Sequence, residues 1–268
     1  MSAFVSLFSM RFKLGLQYRA QAWAGVATQF FWGVMMIMIY RAFYQNAPGA
    51  DNGMTLPQLV TYVWLMQSFY YCITFWSGDW ELNELISSGN IAYELCRPQR
   101  LYGLWFAKNV AVRLSGMLLR CVPILMIAPL LPAPYGLAAP ASPAAALMFL
   151  LTISLGVCLL ITYILFGCIL SFYTVTSSGI GWILVILGEL FSGQWLPLAL
   201  FPDVVKPFVY ALPFAYVNDF PFRVYNGSVD MQTAFLGLGV QLLWLLAFIA
   251  AGQWLLSRGL RRVVVQGG

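Results

Sequence analysis

Long segments without a charged residue are the feature that most restricts how this chain can fold. Residues 21–40 contain no Asp, Glu, Lys or Arg, and neither do residues 121–188. Apolar stretches of 18 or more residues are typical of membrane-spanning helices, because a hydrocarbon core about 30 Å thick needs about 20 residues at helical rise. Only 9% of the residues are charged, against about 25% in soluble globular domains. We therefore predict an all-α polytopic membrane protein.

Six membrane-spanning helices are predicted within a single transmembrane domain that covers residues 1–268. They fall at about 21–40, 57–77, 102–130, 144–172, 181–195 and 231–257. Glu189 interrupts the fifth span, and Pro197 and Pro202 follow it. We therefore expect a re-entrant or broken helix after the fifth span, within an extracytoplasmic loop or re-entrant region at 196–230. Irregular backbone is tolerated there only where surrounding protein or a water-lined cavity covers it.

An amphipathic helix is predicted for residues 1–20, ahead of the first span. Phe4, Phe8, Phe12 and Leu16 recur at intervals of four residues, and Lys13 lies on a different face. This pattern favours a helix that lies in the membrane interface with its cations toward the headgroups. A cleaved signal peptide is disfavoured, because the basic residues follow the apolar ones.

The distribution of basic residues predicts the orientation of the spans. One side collects only Arg41, Lys206 and Arg223, and the other side collects Arg11, Lys13, Arg19, Arg97, Arg100, Lys108, Arg113, Arg258, Arg261 and Arg262. Basic residues concentrate on the cytoplasmic side of membrane proteins, so both termini and the loop at 78–100 are expected in the cytoplasm. We expect Lys108 and Arg113, early in the third span, to extend toward the lipid headgroups.

The loop at 78–100 gathers charge as no other internal segment does. Four of the nine acidic residues lie in it, namely Asp79, Glu81, Glu84 and Glu94. Leu82, Leu85 and Ile86 have the spacing of one helical face, which predicts a short amphipathic helix from Trp80 to Ile86. An ordinary interfacial loop helix is the alternative. Acidic side chains on the cytoplasmic side would be repelled by anionic lipids, so a basic groove on a protein partner suits them better.

No catalytic or metal-binding pattern is present in the sequence. The chain lacks His, a GxxxxGK[ST] motif and any CxxC pair among its five cysteines, so catalysis, a bound cofactor and a metal site are all disfavoured. If the protein moves a substrate uphill, the energy has to come from a partner protein or from an ion gradient.

Two segments carry a resemblance to a known family. LISSGNIAYELCRP, within the charged loop, and LPFAYVNDFPFRVYNG, before the last span, resemble segments of ABC-2-type transporter permeases, the six-span membrane subunits of ATP-binding-cassette exporters. The resemblance implies two separately encoded ATPase subunits, which would bind ATP and Mg, a second permease subunit, identical or homologous, and the bacterial cytoplasmic (inner) membrane. It also implies a coupling helix between spans 2 and 3.

On this interpretation the residues expected to couple the chain to the ATPase are Glu81, Leu82, Glu84, Leu85, Ile86 and Arg97. The sequence departs from the family at Ser87-Ser88, where a basic residue is common, and at Asn90, where an acidic residue is common. We expect the Ser87–Asn90 junction to determine which partner is recognised. The exported substrate is expected to be amphipathic or hydrophobic, such as a drug, a peptide or a lipid-like molecule.

Arg120, Glu189 and Trp195 are the candidates for a translocation path or gate. Ionisable residues within membrane spans are costly, and they normally face a cavity or a partner. Other interpretations stay open. Arg120 and Glu189 could form an ion pair that fixes helix packing, or Arg120 could extend to a lipid headgroup. The two residues could instead bind the coupling ion of a gradient-driven carrier or channel, or the chain could be a scaffold that transports nothing.

Overall fold

The computed structural model describes residues 3–46, 53–95, 99–174 and 177–262, and all regular structure in these ranges is helical. The all-α prediction is therefore confirmed. The longer helices, in chain order, are α1 (Ala3–Gln17), α2 (Arg19–Asn46), α3 (Leu56–Ile73), α4 (Trp80–Ser87), α5 (Ala92–Leu95), α6 (Leu101–Ile127), α7 (Pro143–Leu170), α8 (Ser177–Phe191), α9 (Lys206–Ala211), α10 (Asp219–Tyr225) and α11 (Met231–Gly259).

Four helical segments of the described chain are long and apolar enough to cross a membrane. They are Arg19–Asn46, Leu101–Leu130, Pro143–Tyr173 and Met231–Gly259. The predicted second and fifth spans coincide with α3, of 18 residues, and with the shorter apolar helix Gly179–Phe191. The count of six spans stays a prediction.

Helix α3 is the centre of the fold. Its side chains Tyr62 and Trp64 are fully buried, and it packs against α2, α6, α7 and α10. Because neighbouring helices rather than lipid cover it, α3 can carry polar side chains such as the buried Gln67 and Ser68.

Three of the long helices, α3, α7 and α11, begin at sequence signals that satisfy free amide groups. Thr55 and Gln58 form a capping box at the start of α3. The Ser142 side chain accepts a hydrogen bond from the Ala145 amide at the start of α7, and Asp230 caps α11 in the same way. Such caps each stabilise a helix by about 1 kcal/mol.

The elements predicted to be cytoplasmic lie at one end of the bundle. The Ser171 hydroxyl at the end of α7 donates to Asn83 of α4 at 3.3 Å, and the Tyr173 hydroxyl donates to the Leu255 carbonyl near the end of α11. Tyr102, at the start of α6, lies against Gly252 of α11. The charged loop and the last turns of α11 therefore share one side of the molecule, as the distribution of basic residues predicts.

Helix α1 packs along the first half of α6 and runs in the same direction. The ring of Phe4 lies beside Gly103, and Gly15 lies against the Ser115 side chain. The predicted amino-terminal helix is therefore present, and α6 covers one of its faces. Its position in a membrane interface stays a prediction.

The chain between α8 and α11 is irregular, as Glu189 and the prolines indicate. Helix α8 ends at Phe191, and two short helices, α9 and α10, precede α11. Gly193 has φ of 83°, and a Cβ atom there would clash with the Tyr62 hydroxyl. Glycine is therefore required at this turn, which brings the end of α8 against α3.

Candidate functional site

The predicted amphipathic helix of the charged loop is α4, which extends from Trp80 to Ser87. Asp79 caps it, since its carboxylate accepts a hydrogen bond from the Leu82 amide at 3.0 Å. Leu82 and Ile86 point inward and are buried, and Leu85 is half-buried. The apolar face predicted from the spacing of these three residues is therefore confirmed, and it attaches α4 to the bundle.

A tight reversal ends α4. Gly89 adopts φ of 75°, a left-handed conformation that costs other residues about 1–2 kcal/mol. The turn lets the Ile91 amide donate to the Leu85 carbonyl at 3.0 Å and places the Ile91 side chain in the core. The four residues of the Ser87–Asn90 junction are all exposed, so the segment in which the sequence departs from the family is open to a partner.

Asp79 also joins α4 to α6. Its carboxylate accepts from the Lys108 ammonium at 2.9 Å and from the Asn109 amide at 2.8 Å, and Asp79 itself is 7% exposed. The Lys108 ammonium lies 3.0 Å from a second carboxylate oxygen, that of Glu81. The expectation that Lys108 extends to the headgroups is therefore wrong, because two carboxylates of the loop bind its ammonium.

Glu81 and Glu84 differ in their surroundings. Glu81 pairs with Arg11 of α1 at 2.7 Å as well as with Lys108. Partial burial alone would raise the pKa of Glu81, but the hydrogen bonds and charges of Arg11 and Lys108 outweigh it and lower that pKa. Glu84 is exposed and has no ion pair within the described ranges. Of the two carboxylates predicted to meet a partner, Glu84 is the one left available.

The segment between α3 and α4 is fixed from the side of α6 by Arg113. The guanidinium donates to the backbone carbonyls of Cys72, Thr74 and Ser77 at 2.7–3.1 Å, and Arg113 is 2% exposed. A cation is stabilised at this position because the carboxyl end of a helix carries partial negative charge. The expectation that Arg113 extends to the headgroups is therefore wrong, because the end of α3 binds its side chain.

Glu189 fixes the same segment from the side of α8. Its carboxylate accepts from the Phe75 amide at 2.8 Å and from the Thr74 hydroxyl at 3.0 Å. The indole of Trp195, in the turn after α8, lies close to this carboxylate. Two of the three predicted path residues, Glu189 and Trp195, are therefore together, and Glu189 adjoins the connection between α3 and α4.

Arg120 lies apart from this network. Its guanidinium stacks on the Tyr71 ring at 4.2 Å and donates to the Gly116 carbonyl of its own helix at 3.1 Å. It also lies beside Gly25 of α2. In the described part of the chain Arg120 makes no ion pair with Glu189, so the interpretation in which these two residues pair to fix helix packing is wrong.

Most of the polar contacts that fix α4 could not be predicted from the sequence. Asp79 precedes a predicted helix and is a favoured capping residue, so its capping role was detectable. Its contacts with Lys108 and Asn109, and those of Arg113, join residues 29–41 positions apart, and no spacing rule reports such pairs. Arg97, the remaining predicted coupling residue, lies outside the described residues.

The described residues contain no group of three or more Cys, Asp or Glu that could hold a metal ion. The site consists of a short helix, polar contacts that fix this helix and the segment before it to other helices, and an exposed junction.

Comparison with known proteins gives one family: the model described as ABC-2 family transporter protein matches residues 30–267. No curated protein matches the chain.

Proposed function

The chain belongs to the ABC-2 family of transporter proteins, and we propose that it is the permease subunit of an exporter driven by ATP. In this proposal two separate ATPase subunits bind ATP and Mg, a second permease subunit, identical or homologous, completes the transporter, and the complex lies in the bacterial cytoplasmic membrane. The substrate is an amphipathic or hydrophobic molecule that leaves the cytoplasm. As a member of this family the chain is a transport subunit and not itself a catalyst.

The observation that supports this function best is the way α4 is attached. Four charged or polar side chains of other helices, Arg11, Lys108, Asn109 and Arg113, contact α4 or the segment that leads into it. A loop helix that only rested on the membrane would need no such contacts. A helix that transmits force needs them, because a displacement is passed on only through contacts that do not yield.

In this proposal a push on α4 reaches the spans by two routes. The first route runs through Asp79 to Lys108 and Asn109, and it moves α6. The second runs along the connection at Thr74 and Phe75 to Glu189, and it moves the end of α8. We propose that closure of the ATPase subunits on ATP pushes α4 and shifts α6 and α8 together, which opens the path beside Trp195.

The exposed side of α4 supplies the contact with the ATPase subunit in this proposal. Glu84 and the Ser87–Asn90 junction form this surface, which suits a basic groove on the partner. Leu82 and Ile86 are buried within the permease and anchor the helix instead of touching the partner. The role of Glu81 is likewise internal, because Arg11 and Lys108 bind its carboxylate.

Reconstitution of the permease with its ATPase subunits tests the proposal. We expect the complex to hydrolyse ATP faster when substrate is present, and Glu84→Lys to weaken assembly or coupling while membrane insertion stays normal. Asp203→Lys, a reversal of the same charge on a side chain that is 92% exposed and far from α4 in the chain, serves as the control. Transport by the permease alone in proteoliposomes without ATP would refute the proposal and favour a gradient-driven carrier.

A further inference from the structure

A cavity of about 330 Å³ lies beneath α4, between that helix and the facing parts of α7 and α8. Its walls are mostly apolar and include Tyr163 and Ile164 of α7 and Leu184 and Val185 of α8. Small-molecule sites are typically mostly apolar clefts of about 300–1,000 Å³ with a few polar groups. The cavity therefore has the size and lining of a site for one small molecule.

The polar groups of the cavity come from α4 and the residue before it. Asn83 and Glu84 lie on this wall together with Asp79, and none of the described residues that line the cavity is Lys or Arg. The Asp79 carboxylate is already bound by Lys108 and Asn109. Glu84 is exposed, so its carboxylate is the charge that an incoming molecule would meet.

We propose that this cavity is a reception site for substrate on the cytoplasmic side, and that the substrate is a small cationic amphiphile. Its apolar part would lie against α7 and α8, and its cation would lie near Glu84. An anionic lipid or detergent would be repelled by the same carboxylate. That the bound molecule is a substrate for transport rests on the proposed function. The binding of a cationic amphiphile to the cavity does not depend on that function.

The position of the cavity gives it a second consequence. Helix α4 forms one wall of the cavity, and two residues of that wall, Glu84 and Ser87, also belong to the proposed contact with the ATPase subunit. A molecule bound beneath α4 would therefore restrict its movement and change how α4 meets the ATPase. Occupancy of the cavity would in this way signal the presence of substrate before hydrolysis begins.

Glycines on two walls of the cavity have open space where a side chain would begin. A Cβ atom added at Gly181 of α8, or at Gly78 before α4, would meet no atom within 4 Å, and both residues line the cavity. Gly179, on the same helix as Gly181, also faces open space but is not among the residues that line it. Gly181→Leu and Gly78→Leu are thus filling variants, and Gly179→Leu is the matched control.

The experiment measures binding of labelled octyltrimethylammonium to the permease alone in lipid nanodiscs, with octanesulfonate and octyl glucoside as probes of equal chain length. We expect the cation to bind more tightly than the sulfonate. Glu84→Gln should weaken cation binding about fivefold, as expected for a partly exposed ion pair, and leave octyl glucoside unchanged. Both filling variants should abolish binding, and Gly179→Leu should preserve it.

Three results would overturn the inference. They are equal binding of the cation and the sulfonate, undiminished binding in both filling variants, or a Glu84→Gln variant that binds the cation as the unchanged protein does. Thermal unfolding of each variant is recorded beside binding, and two fillers on different walls guard against a local folding defect in one of them. Because no ATPase subunit is present, failure of this test leaves the proposed function standing, and failure of coupling leaves the cavity standing.

Discussion

Exchange of the two side chains that join α4 to α6 tests the attachment of α4 most directly. The perturbation is Asp79→Asn, followed by the paired variant Asp79→Asn with Asn109→Asp. In the native protein one Asp79 oxygen accepts from the Leu82 amide and from Lys108, and the other accepts from the Asn109 amide at 2.8 Å. Asparagine caps helices as well as aspartate does, so the single variant keeps the cap but places two NH₂ groups opposite each other.

The expected cost follows from the contact that is lost. A hydrogen bond to a charged acceptor contributes about 1.5–3 kcal/mol, and Lys108 keeps its second partner, Glu81. We therefore expect Asp79→Asn to lower the free energy of unfolding by about 2 kcal/mol. For a chain of this size that corresponds to a fall in Tm of about 4–8 °C.

The paired variant should recover at least half of this loss, because the asparagine introduced in place of Asp79 would then donate to the carboxylate introduced in place of Asn109. Asn109→Asp alone should be the worst of the three variants, since it places two carboxylates in direct contact. Tm is measured on each purified permease in lipid nanodiscs. The ratio of substrate transported to ATP hydrolysed is measured on the reconstituted complex and should follow the same order.

Two outcomes would refute this reasoning. If Asp79→Asn lowered Tm by less than about 1 °C, the contact would contribute nothing measurable. The second outcome concerns the free energy of unfolding that the paired variant loses. If that loss equalled the sum of the losses in the two single variants, to within about 0.5 kcal/mol, the two side chains would not interact. A normal coupling ratio in a clearly destabilised variant would restrict the contact to a structural role.

Further predictions concern the other contacts of the loop. The Tm difference between the native protein and Glu81→Gln should shrink as pH falls below the ordinary carboxyl pKa of 4.5. The reason is that a group with a lowered pKa stabilises the fold only while it is ionised. A Tm difference that stayed constant between about pH 6 and pH 3 would exclude the ion pairs of Glu81. Gly89→Ala should cost about 1–2 kcal/mol and speed hydrogen exchange around residues 85–91, whereas unchanged exchange would argue against the turn. Arg113→Met removes the hydrogen bonds that the guanidinium donates to the carbonyls of Cys72, Thr74 and Ser77. It should therefore lower Tm more than Asp79→Asn does, with partial rescue by Arg113→Lys. Glu189→Gln keeps an acceptor for the Phe75 amide and should retain the native Tm, whereas Glu189→Ala removes the acceptor and should lower Tm. Equal falls in Tm in both variants would mean that the negative charge of Glu189, and not its hydrogen bond to Phe75, stabilises the fold.

Properties that depend on residues close together in the chain could be predicted from the sequence. The helical class follows from apolar segments whose length matches the bilayer. Helix α4 follows from the spacing of Leu82, Leu85 and Ile86, and the predicted end at Ile86 differs from the observed end by one residue. The break after α8 follows from Glu189 and the prolines beyond it. Each of these signals lies within about 20 residues and reflects helix geometry or backbone restriction.

The partners of the charged residues were decided by packing alone. From the sequence, Lys108 and Arg113 were expected among the headgroups and Arg120 as a possible partner of Glu189. The fold instead brings Lys108 to Asp79, Arg113 to the end of α3 and Glu189 to Thr74, a residue 115 positions away. A charged side chain that leaves water binds whichever opposite charge or backbone group the fold places beside it. That choice depends on how the helices pack, which a linear pattern of charges does not contain.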